Sequence, residues 1–259
     1  RPHQSDQGSY HLTPDRNAPL PDSPWLTTTR PLIIGHRGAG ADAPENTLAA
    51  FALALEQNAD GVELDVQLCA DGVPVIIHDD TVDRTCDGTG RVADLTLAEL
   101  RRLTIADNHG VPTLDELFAA LGRRTLYNVE LKASGIKEGG LAAAVAGCIE
   151  RHGVGDRVLV SSFSPVAVWA ARRRLPRAIP VAHLRERRAA RLFHACVPAE
   201  ADHPAAGLVD ASLMAWARRR RLRVNVWTVD DPAEARRLIG LGVDGIITNR
   251  PGALRAALA

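Results

Sequence analysis

From Leu32 onward the chain repeats one phrase: a short β-branched or aliphatic run, then an Ala-, Leu- and Arg-rich stretch with helical spacing. Strand candidates fall at 32–35, 62–67, 126–130, 158–161, 179–182, 197–201, 223–228 and 245–248. Helix candidates between them include 47–58, 141–152, 165–175, 208–221 and 232–241. Eight such units predict an α/β fold, a TIM-like (β/α)8 barrel, and a length of 259 residues suits one. A doubly wound open sheet has the same periodicity and stays open as the alternative. Residues 1–31 hold six prolines and few aliphatic side chains, so they read as an extended Pro-rich N-terminal arm. Residues 32–259 then form a single barrel domain, and His3 and His11 in the arm read as solvated.

One segment breaks the alternation. Glu63 to Asp80 holds two extended runs with no room for a helix, and Asp71-Gly72 between them suits a two-residue hairpin turn. A small β-hairpin insertion after the second strand is therefore expected, with Asp65 facing His78 and Glu63 facing Asp80. Because side chains alternate along a strand, Glu63, Asp65 and Gln67 share one face.

Two carboxylates at i and i+2 in an aliphatic strand repel each other and lose solvation unless a cation joins them. Glu130 ends another strand candidate in the same way, and three oxygen ligands suit a hard divalent metal, Mg2+ or Ca2+. An exposed edge strand with alternating acids is the plainer reading. His36 and His78 also close extended runs; beside a metal site they offer one proton donor and one acceptor, while each alone would read as a structural histidine. His203, near a strand end, is an outside candidate for the pocket, whereas His109, His152, His183 and His194 lack comparable partners. Arg37 stands in a Gly-rich loop where its planar fork could meet a phosphate. Only two of 31 basic residues are lysine. Lys132, two residues past Glu130, suggests a compact charge beside the metal, and Lys137 reads as a surface residue.

Composition excludes several classes. An apolar fraction of 46% excludes disorder, and a net charge of zero argues against a nucleic-acid binder. The runs Arg172 to Arg174 and Arg218 to Arg221 read as solvated helix faces. Four cysteines without close pairing, Cys69, Cys86, Cys148 and Cys196, indicate neither a zinc knuckle nor a disulfide framework. No apolar run approaches the roughly 20 residues of a membrane span, so no stable membrane insertion is expected. A cytoplasmic location is the expectation, with export left open because the chain starts at Arg1.

His36-Arg37-Gly38, Pro44-Glu45-Asn46-Thr47, Asp60-Gly61-Val62-Glu63-Leu64-Asp65, His78-Asp79, Val129-Glu130-Leu131-Lys132, Trp227-Thr228-Val229 and Gly242 to Pro251 occur in that order. Together they closely resemble the glycerophosphodiester phosphodiesterases over about residues 32–252. The resemblance implies metal-dependent hydrolysis of glycerophosphodiesters, such as glycerophosphocholine and glycerophosphoethanolamine, to glycerol 3-phosphate and an alcohol. It implies His36 and His78 as the acid/base pair, Glu63, Asp65 and Glu130 as metal ligands, and Arg37 and Lys132 as phosphate-binding cations. With it come Glu45 facing the pocket, Asn46 capping the first helix, and Trp227 as a wall for the glycerol carbons or as a buried barrel residue. The nucleophile is either the glycerol 2-hydroxyl, by way of a cyclic phosphate, or water directly. The expected partner is a small-molecule substrate, with the chain a monomer or homodimer. Lysophospholipase D-like cleavage at the same site, or a barrel that only binds a ligand, are the alternative functions.

Overall fold

Eight of the apolar runs close into a ring of parallel strands in the computed structural model, which describes residues 23–133 and 140–259. The chain opens with helix α1 (Pro24–Thr27), strand β1 (Leu32–His36), helix α2 (Leu48–Glu56), strand β2 (Gly61–Leu68) and strand β3 (Pro74–Ile76). Helices α3 (Leu97–Leu100) and α4 (Leu114–Leu121) precede strand β4 (Leu126–Leu131), helix α5 (Leu141–His152) and strand β5 (Val158–Ser162). Helix α6 (Pro165–Arg174), strand β6 (Val181–Arg185), strand β7 (Ala201–Pro204) and helix α7 (Ala211–Arg219) follow. Strand β8 (Arg223–Val226), helix α8 (Pro232–Leu241), strand β9 (Gly245–Thr248) and helix α9 (Pro251–Leu258) complete the barrel. Parallel pairing runs β1-β2-β4-β5-β6-β7-β8-β9 and returns to β1, so the fold is a TIM barrel; β3 pairs antiparallel with β2 outside the ring.

Inside the barrel, successive residues of each strand's inward face change character from bottom to top. Leu32, Ile34, Leu126, Leu159, Ala182, Ala201 and Ile247 form an apolar floor. Above it lie Asn128, Ser161, His203 and Asn225, all buried and neutral in type, and above those stand the charged groups at the strand ends. The floor is closed by α1. Pro24 starts that helix, Trp25 and Leu26 are buried in the floor cluster, the Trp25 indole donates to the Arg157 carbonyl at 2.8 Å, and Arg223 Nε donates to the Leu26 carbonyl at 2.8 Å. An extended arm through residue 31 is therefore corrected at its end: Pro24–Thr27 is a packed helix. Residues 1–22, including His3 and His11, and Lys137 lie outside the described residues.

Two late strands lie further along the chain than the aliphatic runs suggested, at Val181–Arg185 and Ala201–Pro204. They carry His183, Arg185, Asp202 and His203, polar residues that an apolar-run criterion passes over. Arg185 and Asp202 form a buried pair, Nε to Oδ1 at 2.7 Å, and His194 reaches the same carboxylate at 3.1 Å. His152 likewise meets Asp115 at 2.9 Å, so both histidines have partners that the sequence did not reveal.

The hairpin after β2 forms with a different register. Val66 pairs with Ile76 and Leu68 with Pro74, and Ile77 N donates to the Asp65 carbonyl at 3.0 Å, so Asp65 faces Ile77 rather than His78. The cause is the turn. Gly72 takes a left-handed φ of +73° and donates to the Cys69 carbonyl at 2.9 Å, while Cys69 N meets the Val73 carbonyl, which makes a three-residue loop instead of two. One added residue moves every facing pair. The excursion is also larger than a hairpin. Residues through Val111 build a small lobe with its own apolar core of Val75, Ile77, Val82, Val92, Leu100 and Ile105.

Candidate active site

The first strand ends where the chain must turn sharply beneath α2. Arg37 adopts φ +54° and Gly38 φ +86°, and a Cβ on Gly38 would lie 2.5 Å from the Ala50 carbonyl carbon, so only glycine fits. The turn aims the Arg37 amide at Glu63 Oε2, 3.0 Å away, and leaves His36 at the mouth. Thr47, not Asn46, caps α2 by accepting from Ala50 N at 3.1 Å. Asn46 is instead buried in a left-handed conformation and donates from Nδ2 to Asp65 Oδ2 at 2.9 Å.

Glu63 and Asp65 of β2 and Glu130 of β4 are buried and offer carboxylate oxygens that lie within 4.8 Å of one another. Lys132 Nζ stands 3.0 Å from Glu130 and 3.5 Å from Asp65, and Arg37 Nε stands 3.3 Å from Asp65. Three acids thus face two cations. Burial and the neighbouring charges of Asp65 and Glu130 push the Glu63 carboxyl well above the usual range, and burial with Asp65 pushes Glu130 up to about 7. Burial alone would lower the Lys132 ammonium, yet Glu130 and Asp65 outweigh it and hold it above its ordinary value. Buried, crowded oxygen donors that resist ionisation together fit a hard divalent cation, which relieves that repulsion.

His36 Nε2 lies 3.9 Å from Glu63 Oε2, and its Nδ1 lies 2.7 Å from Asn249 Oδ1. Asn249 is itself fixed: its amide nitrogen donates to Asp230 Oδ2 at 2.7 Å and its backbone N to Asp230 Oδ1 at 2.7 Å. The Asn249 oxygen is therefore the atom turned to the ring, His36 carries its proton on Nδ1, and Nε2 presents a lone pair. Burial and the Arg37 charge lower the His36 pKa.

His78 is held differently from the sequence expectation. Gln67 Nε2, on the inward face with Glu63 and Asp65, lies within hydrogen-bond distance of the carbonyls of Ile77, His78 and Asp79 at 3.1, 3.1 and 2.7 Å. His78 Nδ1 meets Asp79 Oδ1 at 2.6 Å. Arg84 then joins Asp79 to Glu45 at 2.7 Å, and Glu45 accepts from Arg37 NH1 at 2.8 Å. An alternating chain of charge runs from His78 through Asp79, Arg84, Glu45 and Arg37 to Asp65. Trp227 stands apart from this chain, its indole donating to the His203 carbonyl at 2.8 Å and its ring edge-on to Phe163 at 5.3 Å. His203 is buried one layer below the mouth, with Nε2 2.9 Å from Asn225 Nδ2.

Sequence reasoning missed Asn249, Asp230, Arg84 and the clamping role of Gln67. Asn249 lay within the quoted run from Gly242 to Pro251, where a polar residue directly after an apolar strand was the available signal.

A TIM barrel with a buried carboxylate triad, two oriented histidines and two cations at its C-terminal mouth is the framework of a phosphoric ester hydrolase. The profile of the glycerophosphoryl diester phosphodiesterase family matches residues 36–253. A glycerophosphodiester phosphodiesterase from Caldanaerobacter subterraneus is 36% identical over 233 residues, covering 86% of this chain and 96% of that one. The human glycerophosphodiester phosphodiesterase 1 is 46% identical over 114 residues, 39% of this chain and 34% of that one. Among solved structures, an Oleispira antarctica phosphodiesterase in complex with the product sn-glycerol-3-phosphate superposes with a TM-score of 0.81 at 29% identity, covering 88% of this chain and 97% of that one. The glycerophosphodiester phosphodiesterase of Agrobacterium tumefaciens gives 0.75 at 30%, covering 87% and 99%. The chain belongs to the glycerophosphoryl diester phosphodiesterase family and is a hydrolytic enzyme with glycerophosphodiester phosphodiesterase activity.

Proposed function

We propose that the enzyme hydrolyses small glycerophosphodiesters, glycerophosphocholine and glycerophosphoethanolamine among them, to glycerol 3-phosphate and an alcohol. The observation that carries this reading is the pairing of one buried triad with two histidines whose Nδ1 atoms are both engaged, leaving Nε2 of each for proton exchange. Glu63, Asp65 and Glu130 hold a divalent cation, Mg2+ or Ca2+, which when bound supplies Lewis-acid neutralisation of a phosphate oxygen. Arg37 and Lys132 take the other phosphate oxygens, exchanging part of their contact with the acids for the substrate's charge. His36, with a lone pair fixed on Nε2 and a lowered pKa, accepts the proton of the attacking hydroxyl. His78 gives a proton to the departing alkoxide. Glu45 positions Arg37, and Trp227 with Phe163 walls the glycerol carbons. The attacking group is the glycerol 2-hydroxyl, and water opens the resulting cyclic phosphate.

The test is a coupled assay for glycerol 3-phosphate over a panel of glycerophosphodiesters, with and without EDTA, with His36→Ala as control. Release that depends on both metal and His36 is the expected result, and turnover that survives either treatment overturns the mechanism. Rapid quench in a single turnover detects the cyclic glycerophosphate or eliminates that route in favour of direct attack by water.

A further inference from the structure

Among the described residues, the exposed large apolar side chains are Leu48, Phe163, Val166, Trp169, Leu192 and Phe193. Five of those six come from two neighbouring excursions, the one after β5 and the one after β6. Scattered singly such residues mean little, but gathered on one rim they mark a contact surface. Leu192 is 75% exposed and Phe193 50%, an arrangement that leaves adjacent apolar side chains in water with no compensation from this chain's own core.

The two excursions are physically joined. His183 of β6 pairs in register with Ser162, the residue before Phe163, and its ring lies edge-on to Phe193 at 6.0 Å. Both also lie on the C-terminal side of the barrel, because each begins directly where its strand ends. Phe163 touches Trp227 across the mouth, so the apolar rim is continuous with the candidate active site.

Charge decides what the rim fits. Residues 186–195 carry three arginines against Glu186, with Arg188 also paired to Asp210 at 2.9 Å, although the whole chain is neutral. The 3-10 segment Arg188–Ala195 reads basic on one side and apolar at Leu192 and Phe193. A second copy of this chain would have to bring the same positive charge against itself, and an apolar protein groove would leave the arginines unmatched. We propose that this rim docks peripherally on an anionic phospholipid surface, with Leu192 and Phe193 entering the headgroup boundary and the arginines meeting lipid phosphates. Docking so oriented presents the barrel mouth to the membrane, where phosphodiester headgroups and their breakdown products are concentrated. It concerns where the enzyme works and stands apart from the catalytic roles assigned above.

The full chain is tested by co-sedimentation with vesicles of phosphatidylcholine, with and without about one-third phosphatidylglycerol, and by tryptophan emission on the same samples. The expected result is binding to the anionic vesicles alone, a blue shift in emission, and weakening as salt rises. The double variant Leu192→Asp/Phe193→Asp and the double variant Arg187→Glu/Arg188→Glu should each lower partitioning about tenfold or more. Turnover of a soluble glycerophosphodiester and the melting temperature report that each variant is folded; should one not fold, the other carries the test. Equal binding to neutral and anionic vesicles, no binding, or variants that bind like the wild type would each overturn the proposal. So would sedimentation equilibrium showing that the wild type self-associates and the apolar variant is a monomer, since the rim would then be a subunit interface.

Discussion

Asp79 holds Nδ1 of His78 at 2.6 Å, and Arg84 in turn holds Asp79 and Glu45 together, so a histidine on the inserted lobe is tied to the barrel through a guanidinium. Arg84 lowers the Asp79 carboxyl to about 2, which keeps it an ionised acceptor for the imidazole at any working pH. Under the proposed mechanism, the proton that His78 exchanges must then pass through Nε2.

Arg84→Met should therefore lower kcat by about 10- to 100-fold with a smaller change in KM, the usual cost of losing a group that orients a reacting side chain. Arg84→Lys should recover part of the loss. Steady-state kinetics on a glycerophosphodiester decide the matter, and an unchanged kcat in Arg84→Met would remove Arg84 from any positioning role.

Asp230 fixes which end of the Asn249 amide faces His36. With Asp230→Asn the amide is free to turn, its NH2 then meets the ring, and the proton moves to Nε2, where it blocks proton acceptance. A fall in kcat of about 10- to 100-fold is expected, with the pH profile displaced as well as lowered. A profile that drops without moving would show that Asp230 contributes only to packing.

Divalent metal should raise the melting temperature, because binding to the triad stabilises the folded state by about 2.7 kcal/mol at a hundredfold excess over Kd. Calorimetry with Mg2+ or Ca2+ measures it. Glu63→Gln and Glu130→Gln should melt normally without metal and lose the metal-induced rise; a rise that persists in both would place the cation elsewhere.

His203 is wholly buried, and burial lowers its pKa from the ordinary 6.5 to about 3; His183 falls to about 4 for the same reason. The unfolded chain takes up these protons below about pH 6.5, while the folded chain refuses them until far lower. Stability is thus fully present above that pH and is lost as pH falls, by about 1.4 kcal/mol per unit per histidine. Melting curves from pH 7 to 4 should be shallower for His203→Gln, whose amide oxygen can still accept from Asn225; coincident slopes would contradict a neutral buried His203.

Trp25 closes the floor of the barrel and is 1% exposed. Trp25→Ala should cost about 3–5 kcal/mol of stability while leaving kcat/KM at low temperature unchanged, since the residue lies at the end opposite the site. Thermal melting paired with the soluble assay separates the two effects.

The carboxylate triad was legible because acids at i and i+2 interrupt an aliphatic alternation, a local signal that needs no tertiary knowledge. The barrel was legible for the same reason of periodicity. What escaped depended on three-dimensional pairing. The hairpin register turned on whether Gly72 closes a two- or a three-residue loop, a difference of backbone angle that the pair Asp71-Gly72 does not specify. Strands β6 and β7 hid behind polar residues whose partners, Arg185 with Asp202 and His203 with Asn225, lie on neighbouring strands. Trp25 was obscured by the prolines around it, although Ser23-Pro24 followed by Trp25-Leu26 is a fair signature of a short packed helix.

Strand β2 carries Glu63, Asp65 and Gln67 on one face, and Gln67 clamps the carbonyls around His78. The strand therefore acts as a ruler, with the proposed cation site marked at two graduations and the anchorage of the proposed proton donor at the third. Slipping it by a single residue would turn all three side chains to the other face at once, so a shift of register, unlike any single substitution, would cost both proposed roles together.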